Sequence, residues 1–160
     1  MAPANDKRLS VAGWYPPKGA QDKKRLRTIG TEERQYAEFC LEFLASILDR
    51  RPEQPDALKL AAHYLTLLGY YSDGLAVDRV IADLCPGDYL VMYNLACSYS
   101  LNAMLDESFA TLAAAIGLGY DDIKHMTEDP DLANMQGDSR FSALIDKAIA
   151  AEAARHARKD

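Results

Sequence analysis

The sequence predicts an all-α fold of antiparallel helix-turn-helix repeats with a capping helix at either end. Three observations carry that expectation. Apolar residues recur at helical spacing from Thr31 onward, with no competing strand-like alternation. Capping residues, prolines and glycines divide the pattern into short helices. Finally, the chain matches itself at one constant offset, which places Pro52 on Pro86, Leu58 on Met92, Ala62 on Ala96, Leu65 on Tyr99 and Leu84 on Leu118.

The elements follow in order. Thr31 can cap a first helix, with Glu32 and Glu33 favourably placed against the dipole of its first turn. Tyr36, Cys40, Phe43, Leu44, Ile47 and Leu48 then recur on what reads as its inward face, until Arg50, Arg51 and Pro52 end it. Pro55 and Asp56 open a second helix carrying Leu58, Ala61, Ala62 and Leu65 to Gly69. Ser72 caps a third with Val77, Val80, Ile81 and Leu84. Asp88 starts a fourth that presents Met92, Leu95, Ala96 and Tyr99; after a break near Asn102 a fifth shows Phe109, Leu112, Ala113 and Ile116 before Gly117 and Gly119. Asp121 to Glu128 form a short helix, Asp129-Pro130-Asp131-Leu132 a turn, and Asp138 or Ser139 caps a last helix with Phe141, Leu144, Ile145 and Ile149.

Composition narrows the class. A chain of 160 residues that is 49% apolar can bury the core of about one domain. No run approaches the length that spans a bilayer and no leader-like apolar stretch follows Met1 to Gly13, so a cytoplasmic protein without membrane insertion is expected. Cys40, Cys85 and Cys97 are odd in number and far apart, which favours small core residues over a disulfide or metal framework. Charge is uneven. Residues 1–30 carry Lys7, Arg8, Lys18, Lys23, Lys24, Arg25 and Arg27 against Asp6 and Asp22, a balance of +5, so the total of −6 leaves −11 on the rest. Pro3, Pro16, Pro17, Gly13, Gly19 and Gly30 interrupt this segment, which reads as a flexible basic arm on a helical domain at 31–160. Trp14 and Tyr15, beside the prolines, are the arm's candidate anchor for a groove of its own chain or of a neighbour.

Two helices in each unit of about 34 residues, with a small residue where the pair crosses and a proline closing the unit, resemble the tetratricopeptide repeat. Tyr93-Asn94-Leu95-Ala96 with Tyr99 looks like the family's first helix, and Leu112 and Ala115 hold apolar positions of its second. Gly74 and Asp78 depart from the pattern in the earlier unit, where the family has alanine and a large apolar residue. The resemblance implies a short bacterial-type solenoid: an N-terminal capping helix at 31–52, repeats at 55–88 and 89–120, and an end-of-array capping segment at 121–160. It further implies a concave groove that binds a peptide or helix of a partner protein. By position that groove would present Asp56, Lys59, His63, Thr66 and Leu67, then Leu90, Tyr93, Asn94, Cys97 and Leu101. Lys59, Asn94 and Lys124 also fall on positions with which some members grip a peptide carboxylate, although His63 and Glu128 replace two others.

No catalytic constellation is legible. His63, His125 and His156 lie on different predicted elements, and no zinc-protease, phosphate-loop or nucleophile-elbow motif is present. Asp121, Asp122, Glu128 and Asp129 near His125 lack calcium-loop spacing. The expectation is therefore a non-enzymatic protein-interaction module, an adaptor or chaperone-like holder, with no catalytic, cofactor or metal residues. Self-assembly through solenoid ends or the arm is the alternative. Nucleic-acid binding through the arm is disfavoured by the −11 body.

Overall fold

The computed structural model describes residues 14–157, with eight α-helices, one 3-10 turn and no strand among them. Positions 1–13 of the basic arm and 158–160 at the other end lie outside the described residues. The contacts divide the chain into two compact units, Met1–Leu84 and Cys85–Asp160, where the sequence reads one domain at 31–160. The boundary falls just before Pro86-Gly87. Among the described residues no helix is long and apolar enough to cross a membrane.

In the first unit, α1 (Lys23–Thr28) and α2 (Thr31–Leu48) precede a hairpin of α3 (Pro55–Leu67) and α4 (Tyr71–Leu84). The α1 helix corrects the expectation of a segment without helical structure, and its cause is local. The Asp22 carboxylate accepts hydrogen bonds from the backbone N–H groups of Lys24 and Arg25, which holds Asp22 below the usual carboxylate range. Residues around it are tied to the hairpin. The N–H groups of Lys18 and Gly19 donate to the two Asp73 carboxylate oxygens at 3.0 and 2.8 Å, the Gln21 amide donates to the Leu68 carbonyl, and Asp22 N–H donates to the Gly69 carbonyl at 2.9 Å. Part of the arm is thus docked on its own unit.

Pro55 opens α3, where its missing N–H costs nothing, and α3 packs against both α2 and α4. The buried faces are Ala37, Leu41, Leu44, Ala45 and Leu48 on α2 and Ala57, Leu58, Ala61, Ala62 and Leu65 on α3. The link to α4 needs Gly69 in the left-handed region, φ +80°, with Tyr70 N–H closing back on the Leu65 carbonyl at 2.8 Å. A methyl group at Gly69 would stand 3.0 Å from the Asp22 carbonyl oxygen and 3.1 Å from its nitrogen. Gly69→Ala should therefore cost about 2 kcal/mol and loosen residues 18–28. Limited trypsin digestion checks it: cleavage after Lys18 and Lys23 is expected to rise about tenfold, and an unchanged rate contradicts the docking.

In the second unit α5 (Tyr89–Leu101) and α6 (Leu105–Leu118) form a hairpin of the same dimensions. The step from Pro55 to Tyr89 equals that from Tyr71 to Leu105, and both equal the offset at which the sequence matches itself. The paired helices are 13 and 14 residues long in each unit. The turn is repeated too, with Ala103 at φ 57° and Met104 N–H on the Tyr99 carbonyl. Small residues sit at the same place in both hairpins. A Cβ on Gly74 would meet Thr66, Leu65 and the Ala62 carbonyl, while Ser108 donates its hydroxyl to the Ala96 carbonyl at 2.7 Å. Asp88 caps α5 through the N–H groups of Leu90 and Val91.

The segment after Gly119 folds back on this hairpin. It comprises α7 (Ile123–Glu128), the 3-10 turn Pro130–Leu132 and α8 (Ser139–His156). The turn packs on α5, while α8 packs on α6 and α7. Leu132, Met135, Phe141 and Ala148 are buried in one cluster with Phe109, Leu112 and Ile116. Arg140 lies over the Phe109 ring, 4.1 Å from its centroid, and pairs with Asp106 and Asp138 at 2.7 Å.

Candidate functional site

The first candidate is the outer face of α2. Tyr36, Phe39 and Phe43 are exposed at 62%, 64% and 59%. This corrects the sequence-based facing, which turned Tyr36 and Phe43 inward. The core takes Ala37, Leu41, Leu44 and Leu48 instead, and Cys40 and Ile47 are half-buried. The Tyr36 ring meets Tyr64 of α3 edge-on at 6.3 Å, and Leu60, one turn before Tyr64, is also exposed. Cys40 bonds the Tyr64 hydroxyl and, with burial, pushes it up to about 12. Glu32, Glu33, Glu38 and Glu42 are exposed along the same helix.

Beside this face lies a cavity of about 510 Å³, whose walls include Tyr15, Pro16, Pro17, Phe39, Tyr70, Glu38 and Glu42. Tyr15 is thus placed on its own unit, and Trp14 meets it edge-on at 5.7 Å. Burial, and then the carboxylates of Glu42 and Glu38, raise the Tyr15 hydroxyl above its ordinary value.

The second candidate is a buried polar cluster in the other unit, centred on Asp129. Its Oδ2 accepts from the Tyr93 hydroxyl at 2.8 Å, lies 3.7 Å from Cys97 Sγ and 3.4 Å from His125 Nε2; its Oδ1 accepts from the Asp131 N–H at 2.9 Å. Tyr93 stacks on Tyr120 with centroids 4.2 Å apart, and His125 tilts over its ring at 5.4 Å. Burial raises Tyr93 and pushes Tyr120 up to about 12; burial and then Asp129 raise the Cys97 thiol well above its usual value. The chemistry that results is that of a clasp. A thiol is activated by a base that takes its proton, whereas here the carboxylate stands between Cys97 and His125 and disfavours the thiolate. Among the described residues no group of His, Cys, Asp and Glu side chains is arranged to hold a metal ion.

Tyr93 and Cys97, which the repeat resemblance assigns to a partner groove, are therefore corrected: they are 3% and 7% exposed and face the Asp129 segment. Thr66 is half-buried, its hydroxyl against Gly74. Lys59 is half-buried and His63 exposed on α3 of the first unit; Leu90 and Asn94 are exposed and Leu101 half-buried on α5 of the second. Lys124 is exposed on α7. Sequence reasoning missed Phe39, Tyr70, Tyr120 and the pairing of Asp129 with Tyr93. Asp129 lies 36 residues from Tyr93 and belongs to no motif, so no spacing signals that pair. Compared with protein-family models, curated proteins and solved structures, the chain finds no match.

Proposed function

We propose that the protein is a non-enzymatic interaction module, an adaptor or holder that docks a segment of another protein on the outer face of α2. The single observation that carries this reading is the aromatic stripe Tyr36, Phe39 and Phe43, left at more than half exposure while alanines and leucines of the same helix fill the core. Large apolar side chains placed together at i, i+3 and i+7 on a surface helix mark contact sites, since leaving them in water forfeits their burial energy. The four exposed glutamates on the same helix favour a partner with basic residues flanking its apolar ones. Within the same unit, His63 of α3 is exposed for further contacts of the kind the tetratricopeptide resemblance implies.

The test is affinity capture with the intact protein and the double variant Tyr36→Ser, Phe43→Ser. Retention of a client is expected to fall about thirtyfold in the variant, as for the loss of a binding hot spot, with the helical circular dichroism unchanged. Equal retention by both proteins would remove α2 as the docking face. Sedimentation of the intact chain separates the self-assembly reading, because a dimer lost in the same variant would make the partner a second copy.

A further inference from the structure

We propose that the cavity beside α2 receives an arginine side chain carried by the docked partner segment. The inference rests on the reading of α2 as a docking face and adds the chemistry of what is recognised there. Its walls combine three aromatic rings, from Tyr15, Phe39 and Tyr70, with the carboxylates of Glu38 and Glu42. Each class of occupant fares differently against those walls. An apolar side chain would cover two carboxylates without replacing their water, which is costly. An anion would be repelled. A cation gains from the ring faces and from both carboxylates at once.

The planar guanidinium suits the site better than an ammonium, because it can stack on a ring while its edge donates to two carboxylates. Size agrees, since about 510 Å³ lies within the range of sites that accept a small ligand and exceeds what one side chain needs. The field is of the required sign. Glu42 and Glu38 both act on the Tyr15 hydroxyl to keep its proton on. Phe39 belongs to the cavity wall and to the exposed stripe alike, so an arginine in the cavity continues directly into apolar contacts along α2.

The test uses the full chain and small probes, N-acetyl-arginine methylamide and its lysine, citrulline and leucine counterparts. Trp14, the chain's one tryptophan, sits edge-on to Tyr15 and reports entry by fluorescence, with amide shifts of Glu38 to Glu42 as the second readout. The arginine probe is expected to bind with a Kd of about 1 mM, and citrulline, which has the same shape without the charge, at least about tenfold more weakly. Glu38→Gln with Glu42→Gln should weaken the arginine probe about tenfold, whereas Glu107→Gln, exposed on α6, should leave it unchanged. No binding of the arginine probe, equal binding of citrulline or leucine, or indifference to the glutamine pair overturns the cavity. Binding that emerges only in Lys7→Ala, Arg8→Ala also overturns it, in favour of the chain's own N-terminal segment as occupant. Failure of the probes with client capture still dependent on Tyr36 and Phe43 leaves the docking face standing, so the two readings fall separately.

Discussion

Replacing Asp129 with alanine should destabilise the second unit by about 3 kcal/mol, several times the effect of an exposed substitution such as Lys124→Ala. The carboxylate is buried at 8% exposure and is the shared acceptor of the cluster. Its removal strands the Tyr93 hydroxyl and the Asp131 N–H and leaves a cavity between α5 and the 3-10 turn. A buried donor without an acceptor costs its desolvation, and two such losses with a small void reach the stated size. Asp129→Asn should cost about 1 to 2 kcal/mol, because the amide oxygen can keep the Asp131 N–H while its nitrogen faces Tyr93. Tyr93→Phe removes one donor from Asp129, whose carboxylate keeps Cys97, His125 and the Asp131 N–H beside it, and should cost about 1 kcal/mol. Urea denaturation followed by circular dichroism gives all three. A loss below about 1 kcal/mol for the alanine variant would mean that packing of Leu132 and Met135 alone holds the segment in place.

What the sequence made legible divides along physical lines. Most element boundaries were readable because they are set locally: Pro55 at a first turn, Asp88 and Asp138 as caps, Gly119 in the left-handed region, and the constant offset that reappears in the helix starts; Thr31 and Ser72, read as caps, instead lie in the first turns of α2 and α4. The orientation of α2 was not. Ala37, Leu41, Leu44 and Leu48 follow the same 4-3-4 spacing as Tyr36, Cys40, Phe43 and Ile47, so periodicity cannot choose between the two faces. Larger side chains read as the buried set, yet close packing against α3 selects the face with alanines. Tyr93 failed for a different reason. What covers it comes from residues 120–132, whose return to α5 is a tertiary event with no local signature. The docked part of the arm is similar, since Asp73 meets Lys18 and Gly19 across more than fifty residues.

Alkaline titration should unfold the second unit in two stages whose slopes count its buried acids. In the folded chain Cys97 is raised by burial, Tyr93 is raised by burial with Cys97 and Asp129 beside it, and Tyr120 is pushed up to about 12. In the unfolded chain the thiol ionises near its ordinary value of about 8.5 and the phenols near about 10. A raised pKa favours the protonated form in the folded state, so the stability it confers is complete below the unfolded pKa and is lost as pH rises toward the folded one. From about pH 8.5 to 10 only Cys97 contributes, and stability should fall by about 1.4 kcal/mol per pH unit; above about 10 three protons are held, and the slope should approach about 4 kcal/mol per unit. The loss accumulates as pH rises and draws on a total stability of only about 5 to 15 kcal/mol for a small domain. Helical circular dichroism recorded with tyrosinate absorbance follows both events. Cys97→Ser should flatten the first stage, and Tyr93→Phe should remove about a third of the second. A helical signal that persists beyond pH 12, or a slope that Tyr93→Phe leaves untouched, would place these groups in contact with water and dissolve the clasp that Asp129 is argued to close.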